Sequence, residues 1–191
     1  VVHDTAAAID PQARRVKLAR GEDVPYDRLV VSPGVAFMND AIEGYDGAAQ
    51  AAMLHAWRAG PQTLALRKQL EGMRDGGVYL IAIPAEPYRC PPGPYERICQ
   101  VASYFKRAKP KAKIIALDAN ADVISKPALF KAAWKELYAG MIDYRPNAAL
   151  VRVDATLANG VRIEIAASRA DADRFVGSVK VAAAKSHVFA A

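Results

Sequence analysis

The chain has 191 residues, 52% of them hydrophobic, and a formal net charge of +6 at pH 7, enough to bury the core of one ordinary domain or of a domain plus part of another. Its lysines and arginines are scattered rather than gathered into a stripe with aromatics, which excludes nucleic-acid binding and leaves only a weak general attraction to an acidic partner protein. No apolar run approaches the ~18 to 20 residues of a transmembrane segment, and two cysteines, Cys90 and Cys99, are too few for a disulfide framework or a zinc site.

Residues 1–31 read as β-rich. VVHDTAAAID (1–10), RRVKLA (14–19) and RLVVS (28–32) are three expected strands, with the Gly and Pro of GEDVPYD forming a turn between the last two. SPG (32–34) ends the third. The opening at Val1, with no Met, reads as the middle of a sheet belonging to something longer. Residues 37–60 are looser and Ala-rich, with turn residues at Asn39, Gly44 and Gly47, and read as an interdomain connection with a short helix near 48–53.

Pro61 suits the first turn of a helix, and Leu66, Leu70 and Met73 fall on one face of it before the glycines at 76 and 77. VYLIAI (78–83) reads as a buried strand. ICQVASYFKRA reads as a helix, with Ile98, Val101, Ala102 and Phe105 at helical spacing. KIIALD (113–118) is a second short apolar strand, and Pro127 opens another helix whose expected stripe is Leu129, Ala133, Leu137 and Met141. Strand, helix, strand, helix implies parallel strands with right-handed crossovers, a three-layer α/β domain over 61–166. ALVRVDA and VRIEIA then alternate across TLANG, where Asn159-Gly160 signals a β-hairpin. Residues 167–191 show no pattern that assigns them.

The turn PAEPYRCPPGPYER (84–97) carries the chemistry. A dinucleotide-binding βαβ unit needs G-x-G-x-x-G here, so that the backbone can approach a pyrophosphate. This turn has five prolines and one glycine, and prolines remove amide donors. Asp118, ending the second strand, is where an acid could hold a ribose; without the glycines an ordinary strand-end Asp is the simpler reading. Cys90 lies just before an expected helix start, with Arg89 and Arg97 near in sequence. Helix dipole and guanidinium charge both favour a thiolate, and an idle cysteine in a rigid loop is the equal alternative. Cys99 falls beside the apolar stripe and reads as a packed thiol. His3, His55 and His187 show no metal-ligand spacing, and Trp57 and Trp134 read as packing residues.

YDRLVVSPG resembles the motif that closes the flavin domain of two-dinucleotide-fold flavoproteins. HAWRAGPQT, LRKQLEGM and above all YRCPPGPYER resemble the flavoprotein subunit of flavocytochrome c sulfide dehydrogenase, over about Val1 to Asn147. The resemblance implies a glutathione-reductase-like fold, in which residues 1–36 are the last strands of an FAD-binding domain and 61–166 an NADH-domain-like, Rossmann-type domain. It implies FAD as cofactor, sulfide as substrate, and electron transfer to a haem-bearing cytochrome c subunit in the periplasm. Cys90 matches one member of the family's redox disulfide. Pro33 and Gly34 would border the flavin, and Val2 and His3, on the incoming strand, would lie near its adenine. The family's N-terminal pyrophosphate motif and its second redox cysteine have no counterpart in this sequence, which therefore resembles the middle of such a subunit. A non-catalytic fragment or interaction module, with Cys90 idle, remains open. So does a pyridine-nucleotide or quinone-linked reductase of the same superfamily.

Overall fold

The computed structural model describes residues 1–154 throughout and, beyond them, the backbone of strands at 160–166, 175–182 and 186–190. The chain divides into two compact units, Val1–Phe37 and Met38–Ala191.

The first unit is a small antiparallel sheet of β1 (Ala6–Asp10), β2 (Arg15–Leu18) and β3 (Val24–Pro25), in that order. The Asp4 carboxylate accepts from the amides of Thr5, Arg20 and Gly21 at 2.7, 3.1 and 2.9 Å. That capture fixes the chain ahead of β1, so the expected strand over 1–10 is confined to 6–10, and Val2 and His3 precede it rather than lie on it. RLVVS is not a strand either. The third strand is Val24–Pro25, inside the expected turn, and Val30 and Val31 are largely exposed. A run with strong β-propensity still needs a neighbour for its amides and carbonyls, and no described strand pairs with residues 28–32.

The second unit is built on a four-stranded sheet ordered β10–β4–β5–β6, comprising β4 (Val78–Ile83), β5 (Lys113–Asp118), β6 (Ile142–Arg145) and β10 (Ser186–Ala190). All three pairings are parallel, with Val78 opposite Lys113 and Ile83 opposite Asp118. VYLIAI and KIIALD are thus adjacent parallel strands, as their order predicts. The Gly47–Ala52 (α1), Pro61–Gly72 (α2) and Gly93–Ala108 (α3) helices also form where expected, as does Pro127–Leu137 (α4).

Strands covered on both faces read as continuous apolar runs because neither face is left to water. Tyr79, Ile81, Ile83, Ile114 and Ala116 pack against the helical layer, joining Ile98, Val101, Ala102 and Phe105 of α3, with Leu66 and Leu70 of α2 at its margin. Leu80, Ala82 and Leu117 face the other way, onto Ala49 of α1, Met53, and Leu150 and Val153 of β7 (Ala149–Asp154). β7 pairs antiparallel with β8 (Gly160–Ala166), and β8 with β9 (Phe175–Ala182). The predicted hairpin is therefore present, while Asn159 of its turn lies outside the described residues. The result is a mixed α/β fold with a parallel sheet, compatible with a Rossmann-type domain.

The α4 stripe differs from expectation by one residue. Phe130 and Trp134 are buried, whereas Leu129 and Leu137 are exposed. Aromatics remove more area from water than leucine, and Tyr95, Phe130, Trp134 and Tyr144 stack with centroids 5.2 to 6.4 Å apart.

Two features outside the sheet hold the unit together. The segment before α1 crosses β7: Glu43 N donates to Val151 O at 3.0 Å, and Val153 N to Glu43 O at 2.9 Å. At the opposite end of the sheet from the 84–92 loop, lysines close helix and loop ends. Lys106 Nζ donates to Leu137 O at 3.1 Å, Lys109 Nζ to Glu71 O at 2.9 Å and to Met73 O, and Lys113 Nζ to Gly140 O.

Candidate functional site

In parallel α/β sheets the ligand-binding crevice lies beyond the carboxyl ends of the strands. Here that edge carries the 84–92 loop after β4 and Asp118 at the end of β5. Asp118 is fully buried with both oxygens occupied. Oδ2 accepts the Tyr95 and Tyr144 hydroxyls at 2.7 and 2.8 Å. Oδ1 accepts the Asn120 amide at 2.9 Å and the Asn120 side chain at 2.7 Å. Asn120 in turn donates to Pro84 O at 3.0 Å and accepts from Glu86 N at 3.0 Å, pinning the start of the loop. Burial, then the bond to Asp118, pushes both phenols well above the usual tyrosine range. Asp118 is thus the anchor of the loop, and a ribose hydroxyl would have to displace one of four bonds to reach it.

Cys90 sits two residues ahead of Pro92, the N-cap of α3, and is exposed. Its φ is +60°, a conformation that costs a non-glycine residue roughly 1 to 2 kcal/mol and that clusters at functional sites. Gly93 N returns to Cys90 O at 2.9 Å, and the Tyr88 hydroxyl donates to Pro91 O at 3.3 Å. Tyr88 is pushed up to about 12, first by burial. The loop therefore presents the thiol immediately before the positive end of a sixteen-residue helix.

Arg97 is engaged with Trp57 and His55. Its Cζ lies 3.8 Å from the centroid of the Trp57 ring, and its guanidinium donates to His55 O. Burial, followed by the charges of Arg97 and Arg58, lowers the His55 pKa below its usual 6.5. The neutral ring can then accept the Trp57 amide at Nδ1, 3.1 Å away. Trp57 is thus not a core residue: it is 38% exposed and stands beside the Cys90 loop. Sequence reasoning missed this cluster, because a contact between residues 57 and 97 leaves no local periodicity. The one available signal was the unusual string HAWRAGPQT.

Cys99 is half-buried and its Sγ accepts the Trp134 indole N–H at 3.3 Å. Burial pushes its thiol up. The two cysteines are not bonded to each other. With iodoacetamide at neutral pH, Cys90 is expected to be labelled at least tenfold faster than Cys99, because exposure and thiolate availability both set alkylation rate. Peptide mass spectrometry over a time course reads this directly, and Cys99 labelling first would exclude it.

The remaining expected site residues lie in the first unit. Gly34 has φ +77°, and nothing stands within 4 Å of where a side chain would begin. Pro33 beside it is exposed, as are Val2 and His3. A left-handed glycine leaves its backbone uncovered by a side chain, and Pro33-Gly34 shows that open bend and no further feature. Val2 and His3 show exposure and no further feature. A shallow concavity on the β1–β2 hairpin, lined by Ala8, Asp10, Arg15, Lys17 and Asp23 among others, holds none of these residues. Among the described residues no group of three or more His, Cys, Asp or Glu could hold a metal ion, and no helix is long and apolar enough to cross a membrane.

Comparison with known proteins gives two findings. A 43-residue stretch, 22% of this chain, is 60% identical to the sulfate/thiosulfate import ATP-binding protein CysA of Caulobacter vibrioides. The chain covers only 13% of that protein. The second finding spans residues 63–174, more than half of the chain, and includes β4, the Cys90 loop, α3 and β5: these residues match the model of the central region of the sulfide dehydrogenase [flavocytochrome c] flavoprotein chain. With a parallel-sheet domain whose phosphate turn is replaced by a proline-rich cysteine loop, the chain belongs to the family of flavocytochrome c sulfide dehydrogenase flavoprotein chains.

Proposed function

We propose that the chain forms part of a flavin-dependent sulfide dehydrogenase in which Cys90 is one sulfur of a redox disulfide. The observation that carries this is Cys90 itself: an exposed thiol on strained backbone, ahead of a helix N-terminus, where a dinucleotide-binding domain would hold a pyrophosphate. Asp118 supports it from the other side, since its four bonds anchor the loop and leave no free acid for a ribose. That disfavours a pyridine-nucleotide reductase.

In this reading the whole protein has a glutathione-reductase-like fold, acts in the periplasm and passes electrons to a haem-bearing cytochrome c subunit. Hydrosulfide attacks the Cys90 sulfur. A new S–S bond forms to Cys90, the old one breaks, and its electron pair leaves on the partner cysteine as thiolate. That partner is supplied from outside the 191 residues, because Cys99 is held by Trp134. FAD would be the two-electron acceptor: as the partner thiolate bonds to Cys90 again, the outer sulfur of the persulfide would leave as zero-valent sulfur, and the two electrons and the proton would pass to the flavin. The chain's own work is to hold the Cys90 sulfur rigid and presented, through the prolines of the loop and the Asp118 anchor.

The test uses the intact, FAD-loaded flavoprotein. Cys90→Ser is expected to reduce the rate of sulfide-dependent flavin bleaching by at least ~10³-fold, since a covalent route is lost outright. Cys99→Ala is expected to keep it within about threefold, as a packing change away from the reacting sulfur. Flavin bleaching by sulfide at the native rate in the Cys90→Ser protein would falsify the proposal.

A further inference from the structure

Trp57 and Cys90 meet on Gly93. A side chain begun at Gly93 would encounter the Trp57 ring at 3.0 Å (Cη2) and 3.2 Å (Cζ3), and Cys90 Sγ at 3.2 Å. The outer edge of the indole and the sulfur therefore flank one small space, which the missing glycine side chain leaves open. The ring is fixed from behind. Arg97 lies 3.8 Å from its centroid, the Arg97 guanidinium also holds His55 O, and the His55 imidazole accepts the Trp57 amide. Arg97 is carried on α3 one turn after Gly93, so the clamp and the sulfur are referred to the same helix start. A cation over an indole face is attracted by the ring quadrupole, which biases an exposed ring toward one position.

We infer that Trp57, clamped by Arg97, is a specificity-determining wall for Cys90. Its edge covers one side of the sulfur, admitting nucleophiles of a single heavy atom such as hydrosulfide and obstructing thiols and disulfides that carry rings or branched chains. The inference rests on the redox role proposed for Cys90 and adds the means by which that sulfur selects what reaches it. Thiol–disulfide exchange depends on access along the line of the sulfurs, and a fixed ring at the sulfur restricts that line by size, not by charge.

The intact flavoprotein with its disulfide reduced is treated separately with methyl methanethiosulfonate, which is small, and with dithiodipyridine, which is bulky. Both are uncharged, and the rate at Cys90 is followed by peptide mass spectrometry. Trp57→Ala is expected to raise the bulky-to-small rate ratio about tenfold, the lower end of what pocket size discriminates. Trp57→Phe should leave most of the selectivity, and Arg97→Gln should raise the ratio partway by unlocking the ring. Thiolate fraction affects both reagents alike and cancels in the ratio. An unchanged ratio in Trp57→Ala, or both rates rising in equal proportion, overturns the wall. If Trp57→Ala does not fold, an unchanged ratio in Arg97→Gln overturns it. The ratio involves neither sulfide nor flavin. A failed Cys90→Ser test with an altered ratio thus removes the function and keeps the wall, and the opposite pair of results does the reverse.

Discussion

Asp118→Ala is expected to lower the stability of the α/β unit by about 3 to 5 kcal/mol, the upper end of single-substitution costs, where the breaking of a buried hydrogen-bond network falls. Asp118 is fully buried and takes hydrogen bonds from two phenols, one backbone amide and one side-chain amide. Alanine removes the acceptor of all four donors; a buried donor left unsatisfied costs about 1 to 3 kcal/mol, while the half-buried Tyr144 hydroxyl can turn to water and contributes less. Against a total stability of about 5 to 15 kcal/mol the loss is severe. Asp118→Asn should be milder. Its remaining oxygen can still accept from Asn120, and the phenols can rotate to accept its new N–H. Urea denaturation of the three proteins checks the order. An alanine variant within 1 kcal/mol of the parent, taken as about the cost of an average substitution, would show that the network is not an anchor.

Gly44→Ala is the second large effect. Gly44 has φ +74°, and a methyl group there would lie 2.1 Å from Val153 O, a backbone atom that cannot swing away. The left-handed conformation alone costs a non-glycine residue roughly 1 to 2 kcal/mol. Overpacking adds about 1 to 3 kcal/mol, and relieving the clash breaks the Glu43 bridge to Val151 and Val153. Gly140 is the internal control: φ is +70°, with nothing within 4 Å of a new side chain. Gly140→Ala should show the conformational cost alone, with Gly44→Ala about 2 kcal/mol or more beyond it. Equal losses would mean that β7 moves aside and that the crossing is soft.

What sequence could show of this fold is what local physics controls. VYLIAI and KIIALD announce buried parallel strands because both faces are covered, and the helices at Pro61 and Pro127 begin where a proline fits the first turn. The failures are non-local. RLVVS has the composition of a strand but no described partner. IDYR forms β6 although only half-buried, because it adds to an edge that β5 has already built. Ser186–Ala190 joins the sheet beside β4 across most of the domain. In α4, leucine and aromatic residues compete for the same face, and the aromatics win by area. The site divides the same way. The position of Cys90 before α3 was legible from Gly93-Pro94, but the Trp57–Arg97 stack and the two tyrosines on Asp118 were not, since each joins residues that only the folded chain brings together.

The lysines at the far end of the sheet bear on what the basic surplus is available for. Lys106, Lys109 and Lys113 are already bound to the oxygens of Leu137, Glu71, Met73 and Gly140, where an ammonium also complements the negative end of a helix. Counted as surface charge, they suggest a landing place for an acidic protein; counted by their bonds, they close the chain's own ends. Acylation of these amines, which removes the charge and two of the three donors of each, therefore acts on that edge as loosened helix ends before it acts as altered surface charge.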